Sequence, residues 1–97
     1  MSSTFAVRTI TLKSTGSGSL TIGTGFKPSF IRVTQEDGIE LTHVPGSNTR
    51  KRAAAGTTTF LTTTGINWDN ATASVTLGTD AGLNGTADKL LIVQIYK

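Results

Sequence analysis

The chain contains no cysteine and only one histidine among its 97 residues. The absence of cysteine excludes disulfides and thiolate metal sites, and a single histidine cannot supply a zinc site by itself. Charged residues make up 15% of the chain, with a formal net charge of +3. This charge is too sparse for a dedicated binder of the phosphate backbone, which needs clustered lysine and arginine along a groove, so we expect no nucleic-acid partner.

Long hydrophobic runs are also missing. No apolar stretch approaches the roughly 20 residues that a membrane-spanning helix requires. The first residues, MSSTFAVRTI, lack the charged start and long apolar run of a secretory signal peptide. We therefore expect a chain that has no membrane partner and is used without secretory export.

The residues that are abundant point to β structure. Threonine occupies about a fifth of the chain, and glycine occurs 11 times. Threonine is β-branched and favours strands, while glycine supplies turns. The length allows one domain over residues 1–97, and the hydrophobic content of 36% is low for a monomeric globule. Burial against a partner is therefore a reasonable expectation.

Alternating apolar and polar residues divide the chain into seven or eight short strands. The Asp37-Gly38 dipeptide is a strong hairpin signal between two of them. No strand–helix alternation is present, so the predicted fold is an all-β, single-domain β-sandwich or jelly-roll-like barrel. The predicted strands cover residues 5–13, 19–24, 30–35, 39–44, 57–64, 66–68, 71–77 and 89–97.

Residues 45–56, PGSNTRKRAAAG, interrupt this rhythm and hold the only dense charge run, Arg50-Lys51-Arg52. We interpret the segment as a long loop or a single helical turn. The charge run fits either an ordinary exposed loop or an electrostatic clamp on an acidic protein surface or on nucleic acid. Phe60 and Trp68 are interpreted as core residues, although an exposed tryptophan could serve a sugar site or an interface.

No catalytic arrangement stands out. His43 lies on an alternating strand with no nucleophile elbow in the sequence, which favours a packed side chain over a catalytic base. Most of the acidic residues fall in turns, where aspartate side chains bond to nearby amides. Asp80, Asn84 and Asp88 could offer oxygen ligands to calcium, but their spacing matches no EF-hand, and a solvated loop is favoured. The sequence therefore predicts neither an enzyme nor a bound cofactor or metal.

Three segments carry a resemblance when taken in order. They are GFKPSFIRV at 25–33, GTTT at 56–59 with GINW at 65–68, and LGTDAGLNG at 77–85. Together they resemble a family of small bacteriophage virion proteins whose members have a "GFxPxxI/V" turn, a threonine-rich strand and a late glycine-rich loop. The resemblance spans about three quarters of the chain, and the run around Arg50 departs from it.

The resemblance implies a capsid decoration, or cement, protein on the virion exterior, made in the host cytoplasm. Its partners would be the major capsid protein and further copies of itself, as a homotrimer or homodimer. The expected contacts are Arg50, Lys51 and Arg52, together with Ser2, Ser3 and Thr4 of an N-terminal arm over residues 1–4. Arginine suits acidic partners because its planar fork binds carboxylates bidentately. The alternative is a carbohydrate- or receptor-binding module of a tail fibre or tail spike, with Trp68 or Tyr96 as an aromatic platform.

Overall fold

A computed structural model describes residues 8–97, which form nine strands in two antiparallel sheets. This architecture confirms the predicted β-sandwich. One sheet has six strands in the order β1-β9-β3-β4-β5-β6, and the other has three in the order β2-β8-β7. Within the described residues, no helix is long and apolar enough to cross a membrane. The strands are β1 Arg8–Lys13, β2 Leu20–Gly23, β3 Phe30–Gln35, β4 Glu40–His43, β5 Thr49–Arg52, β6 Thr58–Leu61, β7 Ile66–Asp69, β8 Ser74–Leu77 and β9 Leu90–Tyr96.

Strict alternation gives the six-stranded sheet an inner and an outer face. On β3, Ile31 and Val33 are fully buried, whereas Arg32 between them is only half-buried. The register continues this division across the sheet, because Val33 lies opposite Val93 of β9 on one side and Leu41 of β4 on the other. We call the side that carries these apolar residues, toward the three-stranded sheet, the inner face and the opposite side the outer face.

The predicted hairpin at Asp37-Gly38 joins β3 and β4. Gly38 has a φ of +93°, a left-handed conformation that glycine adopts without a Cβ clash, and its N–H donates to Gln35 O at 2.9 Å. The last strand, β9, is central in the six-stranded sheet, since it lies between β1 and β3. The segment 20–33 is not a hairpin, because β2 and β3 belong to different sheets.

The loop interpretation of residues 45–56 is wrong, because β5 lies inside that segment and pairs with both β4 and β6. A run of three charged residues can form a strand of the sheet because the side chains of alternate residues point to opposite faces. The placement of Phe60 in the core is also wrong, since this residue is 64% exposed on the edge strand β6. Trp68, by contrast, packs against the core as predicted.

The loop between β8 and β9 closes one end of the sandwich. Leu83 and Asn84 of this loop are fully buried. The Asn84 amide bonds to the β1–β2 loop, because Oδ1 accepts Thr15 N–H at 2.7 Å and Nδ2 lies 3.0 Å from the carbonyl oxygens of Ser17 and Gly18. A single side chain therefore satisfies backbone groups of a loop almost seventy residues earlier.

The hydroxyl of Thr49 joins the two sheets. Thr49 lies on β5, and its Oγ1 accepts the N–H of Ile66 on β7 at 2.8 Å and donates to Ile66 O at 3.1 Å. His43 Nδ1 lies 3.1 Å from the same oxygen. Because the one hydroxyl proton goes to Ile66 O, all three bonds form only when His43 is protonated at Nδ1. A Cβ at position 65 would lie 2.5 Å from this oxygen, so Gly65 allows the close approach.

Replacing Thr49 with valine should destabilise the fold. The substitution preserves the shape but leaves the Ile66 N–H and His43 Nδ1 buried without a partner, which costs about 1–3 kcal/mol for each unsatisfied group. Chemical denaturation should show a lower midpoint for Thr49→Val, while Thr49→Ser, which keeps the hydroxyl, should stay close to the wild type. Equal stability of the valine variant and the wild type would contradict the bridging role.

Candidate partner-binding face

The basic run on β5 is divided between the two faces of the six-stranded sheet. Thr49 is buried and Lys51 is half-buried on the inner face, whereas Arg50 and Arg52 are exposed on the outer face. Sequence reasoning placed all three basic residues in one partner-facing loop, and the structure brings only the two arginines to one surface. Ser2, Ser3 and Thr4, the other predicted contacts, lie outside the described residues.

The register places Arg50 in a row of outer-face residues. Arg50 lies opposite Thr42 of β4 and Phe60 of β6, and Thr42 lies opposite Arg32 of β3. Arg52 occupies the next row, opposite Glu40 and Thr58. The two arginines are therefore fixed on a hydrogen-bonded strand with a neighbour on each side, which holds their Cα atoms more rigidly than a loop would.

The outer face carries excess positive charge. Glu40 Oε2 pairs with Arg32 Nη2 at 2.7 Å, and both side chains remain partly exposed. Within residues 8–97, neither Arg50 nor Arg52 forms an ion pair. Their guanidinium groups thus remain available to an acidic surface, and each can bind a carboxylate bidentately.

Phe60 adds an apolar group to this charged surface. Its ring is the most exposed of the large hydrophobic side chains in the described chain. It lies directly opposite Arg50 in the β5–β6 register, so charge and apolar area occur side by side. Aromatic rings and arginines are the residue types enriched where protein interfaces bind most strongly. Sequence reasoning missed Phe60, because the flanking threonines give Phe60 and Leu61 the same local pattern although only Leu61 packs against the core.

Lys51 has a structural role on the inner face. Its Nζ lies 2.8 Å from Asp80 Oδ2, with the lysine side chain 18% and the aspartate side chain 12% exposed. Asp80 Oδ2 also accepts the N–H of Gly82 at 2.8 Å. This ion pair anchors the β8–β9 loop to β5, and it engages the carboxylate that the sequence offered as a calcium ligand.

The remaining candidates for chemistry do not converge. The described residues contain no cluster of three or more histidine, cysteine, aspartate or glutamate side chains that could hold a metal ion. The side-chain amide of Asn84 bonds to the β1–β2 loop, so Asn84 and Asp80 do not form a common ligand site. His43 is buried in the core, bonded to Thr49. The outer face with Arg50, Arg52 and Phe60, which we call the basic face, is thus the best candidate for a binding site.

Comparisons with protein-family models, with characterised proteins and with solved structures each returned no match to this chain.

Removing Lys51 should weaken the fold, because the Asp80 carboxylate would lose its partner in a largely buried place. Lys51→Met should lower the free energy of unfolding by an amount between the ~1 kcal/mol of an exposed pair and the ~3–5 kcal/mol of a fully buried one. Chemical denaturation of Arg50→Met is the matched control, and its midpoint should stay near that of the wild type. If both variants had equal midpoints, the inward role of Lys51 would be wrong.

His43 should make the fold sensitive to mild acid. Burial lowers the pKa of His43 from its usual 6.5. Below pH 6.5 the unfolded chain therefore takes up a proton on His43 more readily than the folded chain does, which favours unfolding. The free energy of unfolding is unaffected by His43 above pH 6.5 and decreases as the pH falls from 6.5 toward the lowered pKa of the folded state. Denaturation midpoints measured between about pH 7.5 and about pH 5 should fall more for the wild type than for His43→Gln, which cannot titrate in this range. Parallel pH profiles for the two proteins would refute this assignment.

Proposed function

We propose that the chain is a bacteriophage virion protein without enzymatic activity. In this proposal it is a capsid decoration protein that binds the outer surface of the major capsid protein and stabilises the head. The observation that carries the proposal is the basic face, on which Arg50 and Arg52 have no ion pair within the described residues and lie beside the exposed Phe60. The resemblance to small virion proteins supplies the identity of the partner.

The rest of the molecule is consistent with a binding role. Charged side chains in the interior form structural ion pairs, as Lys51 and Asp80 do. A cement protein needs a rigid scaffold and a complementary surface and does not need a reacting group. Binding to a partner also adds stability to the folded state by mass action, which suits a short chain of low apolar content.

The mode of contact follows from the chemistry of the face. Arg50 and Arg52 would bind carboxylates of adjacent capsid subunits, and the Phe60 ring would exclude water from the centre of the contact. Such charge-assisted hydrogen bonds strengthen when neighbouring apolar groups lower the local dielectric. The two arginines act together because they are alternate residues of one strand, about 7 Å apart.

A carbohydrate-binding module of a tail fibre or tail spike is the alternative function. It requires an exposed aromatic platform, for which the sequence offered Trp68 and Tyr96. Both are only half-exposed: Trp68 packs against the core, and the Tyr96 ring is tilted against Phe30 with centroids 5.6 Å apart. These contacts favour the decoration role over the sugar-binding role.

Reversing the charge of the basic face should prevent attachment to the capsid. The double variant Arg50→Glu/Arg52→Glu should bind empty heads of the phage that encodes the chain at least tenfold more weakly, a loss of about 1.4 kcal/mol or more, because carboxylates would then face carboxylates. Occupancy is measured by sedimenting heads with increasing protein.

The matched control is Lys27→Glu/Lys97→Glu, which changes the net charge by the same amount away from the basic face. This control should bind like the wild type, and circular dichroism should show that both variants are folded. Undiminished occupancy by the Arg50/Arg52 variant would rule out this face as the contact.

A further inference from the structure

The outer edge of β6 lacks the protection that the other sheet edges have. Among the described residues, no strand pairs with the side of β6 that faces away from β5. No charged residue occurs in the sequence between Arg52 and Asp69, so neither the strand nor its flanks carry a charge. Natural sheets guard their edges with charge, proline or bulges, and an unguarded edge is a template for another strand.

The three other edge strands differ in this respect. β1 begins at Arg8 and ends at Lys13, so a cation stands at each end. The edge strand β2 is also uncharged between Lys13 and Lys27, but Arg8 Nη1 donates to its Gly23 carbonyl oxygen at 2.6 Å, which places a cation at the end of this strand. β7 ends in Asp69. Among the described edge strands, only β6 therefore has no charged residue at either end and no charged side chain bonded to its backbone.

The alternation of hydrogen bonds along β6 identifies which of its backbone groups could bond to a further strand. The Ala53 N–H donates to Thr57 O at 2.8 Å, in the turn that joins β5 and β6. Antiparallel ladders alternate, so the residues Thr57, Thr59 and Leu61 bond toward β5, while the N–H and C=O groups of Thr58 and Phe60 point to the open edge. These two residues also direct their side chains to the outer face.

We infer that β6 pairs antiparallel with β6 of a second copy of this chain, so that two six-stranded sheets join across a two-fold axis. The inference deepens the homo-oligomeric part of the proposed function and needs no assumption about what the basic face binds. A neutral strand can lie beside its own copy because no like charges come opposite each other. The same pairing brings the two exposed Phe60 rings close to the axis.

The charges of the neighbouring strand permit this arrangement at physiological salt. Arg50 and Arg52 of one copy are separated from those of the other by three strand spacings, about 14 Å. That distance exceeds the screening length of about 8 Å at 0.15 M ionic strength but is well within the ~30 Å at 0.01 M. The dimer should therefore weaken at low salt, whereas attachment to an acidic surface should strengthen.

The joined sheet would carry two basic faces on one continuous surface, with both Phe60 rings between them. Such a dimer binds two neighbouring acidic sites at once, and the second contact forms at a high effective concentration. Copies of a capsid subunit related by a local two-fold axis present sites with the same symmetry.

Sedimentation velocity on the intact chain tests the inference, over concentrations from about 1 to about 200 µM. The wild type should show a monomer–dimer equilibrium that weakens severalfold between about 0.15 M and about 0.01 M salt. Thr58→Pro removes one edge N–H that does not bond to β5, and its dissociation constant should rise more than tenfold. The matched control Thr58→Ala loses the same side chain but keeps the N–H, and it should dimerise like the wild type.

Two further variants make the outcome decisive. Phe60→Lys places a charge on the edge at an exposed position and should be a folded monomer, which keeps the test valid if the proline variant fails to fold. Arg50→Gln/Arg52→Gln should still dimerise but lose the salt dependence, so a failure of capsid binding is distinguished from a failure of pairing. A monomer at every concentration, or undiminished dimerisation of both Thr58→Pro and Phe60→Lys, would overturn the inference.

Discussion

The two-residue period of β5 determines both an anchor of the interior and the charged surface of the sandwich. Within four residues it directs Thr49 and Lys51 inward and Arg50 and Arg52 outward. The inward pair secures the interior, because Thr49 bonds to β7 and Lys51 pairs with Asp80 of the β8–β9 loop. The outward pair forms the basic face. A shift of the register by one residue would bury both arginines and expose both anchors, so architecture and surface are specified together.

Polar anchors compensate for the modest apolar content of the chain. The buried hydrophobic residues are mostly valine, leucine and isoleucine of the central strands. Around them, Thr49 joins the two sheets, and Asn84 joins two loops that are distant in sequence. Thr49 and Asn84 each bond to several partners, which limits the number of arrangements that satisfy them. The strands that display the basic face are held by these bonds, so the face is presented in a fixed geometry.

Much of the fold could be predicted from local pattern, and the failures have physical causes. The strand at 30–35 and its hairpin partner could be predicted because apolar and polar residues alternate on both sides of Asp37-Gly38. β5 could not be predicted, because three consecutive cations are typical of a solvated loop. The ion-pair partner of Lys51 is Asp80, which is far away in sequence. Phe60 was misplaced because no local signal reveals that β6 is a sheet edge with an open outer face. Arg50 and Arg52 were predicted as partner contacts from their charge alone, and their place on the outer face of a strand was not predicted.

Arginine-specific labelling, carried out with and without empty phage heads as the proposed partner, can show whether the outer face of β5 contacts an acidic surface. Phenylglyoxal modifies accessible guanidinium groups, and mass spectrometry reports the extent at each arginine with and without heads. Arg50 and Arg52 should become protected in the bound state, whereas Arg8, at the opposite edge of the sheet, should react equally in both. Unchanged labelling of Arg50 and Arg52 on heads that carry the bound chain would contradict the account.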